Sequence, residues 1–211
     1  MHGPPLPLED PAVDDGYRRG RILRALATCL EEKGYAATTS ADIARVAQVS
    51  KSALYAHFHD KEECLLELVS RATDKVLETI RRSQEEAVEA DVPWRERLRL
   101  AVATLLDALG SGPEVAWAVV VEVQAAGRRG RALRRNLLDR YTALIRETAA
   151  DLARRFPDEV REVDEKQVVA AVGGIHELML LRVERGDAAR LAEETDAAAQ
   201  VLVGLLERRR P

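Results

Sequence analysis

Three helix-start signals follow one another within about thirty residues, and this spacing constrains the fold more than any other feature of the sequence. Thr39 and Asp42 form a T-x-x-D pattern, a carboxylate version of the capping box. Ser50 can cap a second helix, and Asp60 with Glu63 can open a third. The sequence therefore predicts two short helices with a tight turn between them, followed directly by a long helix.

The two short helices carry only a narrow apolar stripe. Its positions are Ile43, Ala44 and Ala47 on the first helix, Leu54 and Phe58 on the second, and Val49 between them. The second helix has a polar face made of Lys51, Ser52, Tyr55 and His57. So short a helix with so few apolar residues gains little stability by itself. A recognition helix in the major groove of DNA needs only such a narrow apolar stripe to hold it on the protein, because its polar face contacts DNA.

Each polar residue in this region has a chemistry suited to DNA. Lysine can reach a guanine edge or a phosphate, hydroxyl and imidazole groups donate to phosphate, and alanine can meet a thymine methyl. Free N–H groups at helix starts also attract phosphate. Any one of these side chains alone is most often a solvated surface group; together they favour DNA. The predicted DNA-contacting residues are Arg18, Thr39, Ser40, Ser50, Lys51, Ser52, Ala53, Tyr55, His57 and Lys61.

The charge is distributed in the way that this interpretation requires. The whole chain has a formal net charge of −4, which does not favour a nucleic-acid partner by itself. The segment from Tyr17 to Lys61, however, contains eight basic residues and only four acidic ones. A phosphate backbone is attracted by the surface that it meets rather than by the net charge of the chain.

The composition and the apolar periodicity predict an all-α protein. Ala, Leu, Arg and Glu dominate, and no segment alternates polar and apolar residues for long enough to form a strand. We expect nine helices, three short ones and then six longer ones, and three parts along the chain. The expected parts are a disordered tail over 1–15, a DNA-binding domain over 16–62 and a ligand-binding and dimerisation domain over 63–211. The expected helices are 16–33, 40–47, 51–58, 61–90, 94–109, 114–126, 129–156, 164–185 and 189–209.

Several classes of protein are disfavoured. The sequence has no nucleophile elbow, P-loop, dinucleotide fingerprint or HExxH motif, so we expect neither an enzyme nor a cofactor. Cys29 and Cys64 do not form a CxxC pair, which disfavours a disulfide or a metal site. No apolar run reaches the length of a membrane span, and the N-terminus lacks the pattern of a signal peptide. We expect a cytoplasmic protein without a membrane partner.

The stretch from Gly34 to Leu65 closely resembles the helix-turn-helix of the tetracycline-repressor (TetR) family. It departs from the family at Gln48, where glycine is usual, and at Ser52-Ala53. A non-glycine residue at positive φ costs on the order of 1 kcal/mol, and the second departure leaves the operator sequence open. The matching residues are Gly34, Tyr35, Thr38, Thr39, Ile43, Ala44, Ala47, Val49, Ser50, Leu54, Tyr55, His57, Phe58, Lys61 and Glu62.

The resemblance implies a homodimer that binds double-stranded operator DNA, usually as a repressor. In the family, the last two helices pair with those of a second subunit. Two recognition helices related by a two-fold axis read a palindrome, with centres about 34–36 Å apart or a multiple of that distance. The same apolar stripe would also suit an intramolecular core. The residues expected at the dimer interface are Gly173, Gly174, Leu178, Leu181, Leu202, Leu205 and Leu206.

The resemblance also implies a small-molecule effector that binds among helices four to eight and tilts the fourth helix. We expect a largely apolar molecule with one or two polar groups. His176 and Glu177 are neighbours on a helix and point to different faces, which disfavours a metal or catalytic pair. The alternatives are ordinary core packing of these residues and a DNA-binding or protein-interaction module without an inducer site. The expected lining residues are Trp117, Val121, Gln124, Tyr141, Ile145, His176 and Met179.

Overall fold

The computed structural model describes residues 11–208, with side chains from Asp15 onward. Most of the predicted tail, residues 1–10, lies outside the described residues, and helix α1 already begins at Pro11. The helices are α1 Pro11–Ala37, α2 Ser40–Ala47, α3 Lys51–His57, α4 Lys61–Glu89, α5 Trp94–Gly110, α6 Pro113–Val120, α7 Gly127–Arg155, α8 Glu165–Glu184 and α9 Thr195–Leu206. Two 3-10 helices, Glu122–Ala125 and Ala188–Glu194, precede α7 and α9.

The prediction of an all-α fold is confirmed. Between residues 11 and 208 there is no β-strand, and the extended backbone pairs only in one isolated bridge, between Val160 and Glu207. None of the helices described is both long enough and apolar enough to cross a membrane.

Besides the earlier start of α1, the structure differs from the predicted helices at three places. Helix α1 continues past the expected stop, with a kink at Gly34, whose φ of 74° and ψ of 169° are essentially open only to glycine. The helix expected over 114–126 ends at Val120, because the β-branched run Val119–Val121 is a poor helix former. The helix expected over 189–209 is a 3-10 helix followed by α9.

The buried residues form two clusters, here called the N-terminal cluster and the C-terminal cluster. The N-terminal cluster joins α1, α2, α3 and the first turns of α4. It also includes Ala118 of α6, Val123 of the first 3-10 helix, Ala126 directly after that helix, and Leu137 of α7. The C-terminal cluster is built from α5 to α9 around Trp94, Leu106 and Leu152. The division at residues 62 and 63 stays a prediction, and the N-terminal cluster extends across it.

Both cysteines are free and buried. Cys64 belongs to the N-terminal cluster, and burial raises the pKa of its thiol to about 12. A thiol that remains protonated at neutral pH is a poor nucleophile and a poor metal ligand. The residues therefore act as small apolar side chains of the core.

Candidate DNA-binding site and effector cavity

Helix α2 begins with the capping box that the sequence predicts. The Thr39 hydroxyl accepts a hydrogen bond from the Asp42 amide, and the Asp42 carboxylate accepts one from the Thr39 amide at 3.0 Å. The Lys33 ammonium lies 2.6 Å from the same carboxylate. The hydrogen bond from Lys33, reinforced by Thr39, holds the pKa of Asp42 well below its usual range. The start of α2 is thus tied to the last turns of α1.

The turn between α2 and α3 is formed by Gln48 in a left-handed conformation, with φ 54° and ψ 47°. Its amide donates to the carbonyls of Ala44 and Arg45, and the Val49 amide donates to Ala44 at 3.0 Å. These bonds close the end of α2 in the manner of a helix C-cap that normally has glycine. The turn therefore holds a non-glycine residue, Gln48, in a left-handed backbone conformation that is strained for it.

We expect Gln48→Gly to raise the free energy of unfolding by about 0.5–1 kcal/mol. Glycine relieves the left-handed strain, and its larger entropy in the unfolded chain offsets part of the gain. The Gln48 side chain is exposed, so that little packing is lost. Urea denaturation checks the result, with Gln200→Gly, at an exposed position inside α9, as a control that should destabilise the protein. A less stable Gln48→Gly variant would contradict the strain argument.

Helix α3 presents a polar face on an apolar anchor. The Ser50 hydroxyl caps the helix by accepting a hydrogen bond from the Ala53 amide at 3.1 Å, and it lies 2.9 Å from the Ser52 hydroxyl. Leu54 is fully buried and Phe58 nearly so, whereas the Tyr55 side chain is 53% exposed. Lys51 and Ser52 are exposed as well. The helix therefore has the geometry of a recognition helix, with one side buried in the protein and polar side chains exposed on the other.

The other predicted DNA-contacting residues have different surroundings. Arg18 and Thr39 are exposed, while Ser40 and Ala53 are half-buried. The His57 side chain is 9% exposed and its Nδ1 lies 3.3 Å from an oxygen of Asp15. A phosphate contact by His57 would compete with this pair.

Lys61, which is also expected to contact phosphate, already has hydrogen-bond acceptors within the protein. Its ammonium donates to the carbonyls of Tyr35 at 2.7 Å and Thr38 at 2.8 Å. It also lies 4.3 Å from the centroid of the Tyr35 ring. Lys61 therefore fastens the first turn of α4 to the carbonyls that end α1. These acceptors are backbone atoms, and nothing in the spacing of the sequence reveals them.

Arg19 also connects helices through its hydrogen bonds, a role that could not be predicted from the sequence. Its guanidinium binds both carboxylate oxygens of Glu67 and donates to the His57 carbonyl at 3.1 Å. It also stacks over the Phe58 ring, 4.5 Å from the centroid. The hydrogen bond from Arg19 lowers the pKa of Glu67. Arg19 thus connects α1, the end of α3 and α4, and so fixes the direction in which the recognition helix points.

A cavity of about 130 Å³ lies between α5, α6, α7 and α8. Four of the seven predicted lining residues, Tyr141, Ile145, His176 and Met179, do line it. Most of its remaining wall is apolar. The other lining residues are Leu105, Leu109, Val119, Val120, Val123, Arg134, Leu137, Leu138, Val172, Gly173 and Ile175.

The prediction that Trp117, Val121 and Gln124 line the cavity is wrong. Because α6 ends at Val120 and a 3-10 helix follows, these residues no longer share one helix face. Gln124 is exposed, and the indole of Trp117 donates a hydrogen bond to Glu122 at 3.0 Å. The cavity is lined instead by valines of the same segment, Val119, Val120 and Val123.

Three polar side chains face this apolar cavity. Burial raises the pKa of Tyr141 to about 12, so its hydroxyl is protonated and able to donate. Burial, with a contribution from the nearby Arg134, lowers the pKa of His176, which is therefore neutral at pH 7. Arg134 is exposed and adds a positive charge at the edge. The cavity can hold an apolar group with a polar or anionic end.

The residues expected at the dimer interface differ in how deeply they are buried. Leu202 and Leu206 are 4% and 0% exposed in the C-terminal cluster, which corrects their assignment to the dimer interface. Leu178 and Leu205 are half-buried against that cluster. Gly173, Gly174 and Leu181 are exposed, and Gly173 also lines the cavity. The same residue types suit a core and an interface, so the sequence could not separate the buried residues from the exposed ones.

The first turns of α7 hold a second feature that the sequence interpretation did not use. Five arginines occur in the eight residues 128–135, with no acidic residue among them. All five are exposed, and Arg129 pairs with Glu62 at 3.2 Å. Cations at a helix N-terminus oppose the helix dipole. This unfavourable placement is the signal that could have pointed to an anionic partner. The five are Arg128, Arg129, Arg131, Arg134 and Arg135.

Solved structures share this fold over nearly the whole chain. The fatty acid degradation regulator FadR from Bacillus halodurans covers 91% of this chain and is itself covered to 97%, with a TM-score of 0.78 and 21% identity. FadR from Bacillus subtilis, in a complex with stearoyl-CoA, gives a TM-score of 0.70 at 19% identity over 87% of this chain and 97% of its own. The TetR-family regulator PfmR from Thermus thermophilus is 26% identical, with a TM-score of 0.66 over 90% of this chain and 98% of its own.

Sequence relatives lead to the same class of protein. The activator FasR of Mycolicibacterium smegmatis is 36% identical over 90 residues, which are 43% of this chain and 39% of FasR. The match to the regulator YhgD of Bacillus subtilis covers 45% of that protein at 30% identity, so the chain spans less than half the length of these two relatives. An uncharacterised HTH-type regulator of Mycobacterium tuberculosis is 31% identical over 144 residues, 66% of this chain and 70% of its own.

These relatives are transcriptional regulators and not enzymes. The sequence profile of the family described as bacterial regulatory proteins, tetR family, matches residues 22–68, which run from α1 into α4 and include both helices of the helix-turn-helix. The chain belongs to the TetR family of transcriptional regulators.

Proposed function

We propose that this protein is a homodimeric repressor that binds a palindromic operator through α3 and is released by a small, largely apolar effector. The observation that carries the proposal is the polar face of α3 on its buried anchor. Leu54 and Phe58 hold the helix, while Lys51, Ser52 and Tyr55 remain exposed. In this proposal, residues 16–62 form the DNA-binding part, and residues 63–211 bind the effector and the second subunit.

The exposed face of α8 and α9 supports the homodimer. An added Cβ atom would meet nothing within 4 Å at Gly174 or Gly204, so the backbone is open there to close approach by a second helix pair. Leu181 is 41% exposed and Val201 is 39% exposed on the same two helices. A self-complementary apolar face of this kind suits a two-fold interface, and a two-fold axis relates two recognition helices.

The position of the 3-10 helix Glu122–Ala125 supports control by an effector. Val123 lines the cavity, while the buried Glu122 accepts a hydrogen bond from Trp117 and lies against Gly34 at the kink of α1. An occupant that displaces Val123 therefore displaces a segment in contact with the DNA-binding part, and α4 provides a second connection. Release from DNA follows if the effector binds better to the DNA-incompetent state.

The lining of the cavity suggests an acyl group as the part of the effector that enters. The wall is apolar, with Tyr141, His176 and Arg134 as polar groups. FadR from Bacillus subtilis, which shares the fold, was solved in complex with stearoyl-CoA. We therefore propose acyl thioesters of coenzyme A as the effector class.

Selection of bound sequences from randomised duplex DNA tests the proposal. We expect the purified protein to enrich a palindrome, and octanoyl-CoA to lower its affinity for that operator at fixed salt. Salt must be held constant because contacts to the DNA backbone weaken as salt increases. No enrichment even at low salt would overturn the regulator. A palindrome whose binding no acyl-CoA changes would instead favour a DNA-binding module without an inducer site.

A further inference from the structure

The arginines at the start of α7 form a positive surface next to the cavity. Within the residues whose side chains are described, no carboxylate pairs with Arg128, Arg131, Arg134 or Arg135. By contrast, Arg146 and Arg154 farther along the same helix are both paired, with Glu165 and Asp151. Four neighbouring cations without acidic partners repel one another, and an anion bound among them would remove that repulsion.

The helical spacing places this positive surface and the cavity wall on adjoining parts of α7. Arg131, Arg134 and Arg135 precede Leu138 by seven, four and three residues, so they lie along the same side of the helix. Leu138 lines the cavity, and so does Arg134 itself. The positive surface therefore begins where the apolar wall ends.

The size of the cavity supports a ligand that continues outside it. Sites that enclose a whole small molecule are typically about 300–1,000 Å³, and this cavity is about 130 Å³. It suits an acyl chain rather than a complete acyl thioester. The rest of such a ligand has to lie at the edge of the cavity, where the exposed arginines are.

We propose that Arg128, Arg131, Arg134 and Arg135 bind the phosphate groups of an effector whose acyl chain occupies the cavity. The inference rests on the proposed function and adds a headgroup site to it. Arginine suits phosphate because its planar guanidinium donates two parallel hydrogen bonds. Arg134 links the two halves of the site, since it lines the cavity and belongs to the positive surface.

Isothermal titration with octanoyl-CoA, octanoate and free coenzyme A tests the headgroup site. The variant is Arg131→Ala/Arg135→Ala, which leaves the cavity lining intact. Its control is Arg146→Ala/Arg154→Ala, which removes the same charge from the same helix. We expect the first variant to bind octanoyl-CoA at least about tenfold more weakly than the wild type, through lost charge-assisted bonds. The first variant should bind octanoate within about twofold of the wild-type affinity. The control variant should bind octanoyl-CoA within about twofold of the wild-type affinity.

Each other result has a separate meaning. If the wild type binds octanoyl-CoA and the first variant binds it equally well, the headgroup site is wrong while the effector class stands. If that variant instead loses operator affinity without effector, the arginines contact DNA and the inference is overturned. If the wild type binds the operator but neither octanoyl-CoA nor octanoate, the effector class is wrong and the headgroup site with it.

Discussion

Replacing Lys51 and Tyr55 together with alanine should lower operator affinity by at least about 30-fold while leaving the dimer and the fold intact. Each specific side-chain contact to DNA contributes about 1–3 kcal/mol, and two such contacts correspond to at least that factor. Both side chains are exposed, and neither residue belongs to the buried clusters. Their loss should therefore not change the free energy of unfolding by more than about 0.5 kcal/mol.

Fluorescence anisotropy with the selected operator and with a scrambled duplex measures this effect. Lys75→Ala removes the same charge from an exposed position on α4, away from α3, and serves as the control. It should change affinity for both duplexes only slightly. If the double variant retains the operator affinity of the wild type, α3 is not the reading helix in the way proposed, although membership of the family would stand.

Gly130→Ala should lower the free energy of unfolding by about 1–2 kcal/mol. A Cβ atom at this position would lie 2.0 Å from the carbonyl oxygen of Val123 and 2.9 Å from the Cβ of Ala126. The first of these is a backbone atom and cannot rotate away, so α7 and the 3-10 helix before it have to separate. Overpacking that moves the backbone typically costs about 1–3 kcal/mol and outweighs the better helix propensity of alanine.

Urea denaturation of Gly130→Ala beside Gly20→Ala separates these two terms. At Gly20, inside α1, an added Cβ atom meets only the mobile end of Arg24 at 3.6 Å. Alanine there should stabilise the protein by up to about 1 kcal/mol. Because Val123 also lines the cavity, Gly130→Ala should weaken octanoyl-CoA binding as well. Equal stabilisation by both substitutions would show that the close approach at Gly130 does not exist.

The parts of this protein that could be predicted from sequence are those that depend on local chemistry. The caps at Thr39, Ser50 and Asp60 need only residues within one helical turn, and all three form in the structure. The polar face of α3 follows in the same way from helical spacing.

The parts that could not be predicted depend on contacts between distant segments or on small changes of helix geometry. Lys61 binds carbonyls that are 23 and 26 residues away in the chain. Helix α6 ends at Val120, and the residues after it point in directions that a continuous helix would not give them. The sequence therefore assigned the wrong residues of this segment to the wall of the cavity. Leu202 and Leu206 are leucines in a helix with two apolar sides, and only packing shows which side is covered.

The N-terminal cluster has a consequence for how this protein can be recombined with its relatives. Its buried residues include Ala118, Val123, Ala126 and Leu137, which come from segments far along the chain from the helix-turn-helix. A helix-turn-helix transplanted alone would leave that apolar surface without its complement and would lose stability in its new setting. A chimera that is to exchange operator specificity therefore has to carry α6 and the start of α7 along with α1–α4, or change only the exposed residues of α3.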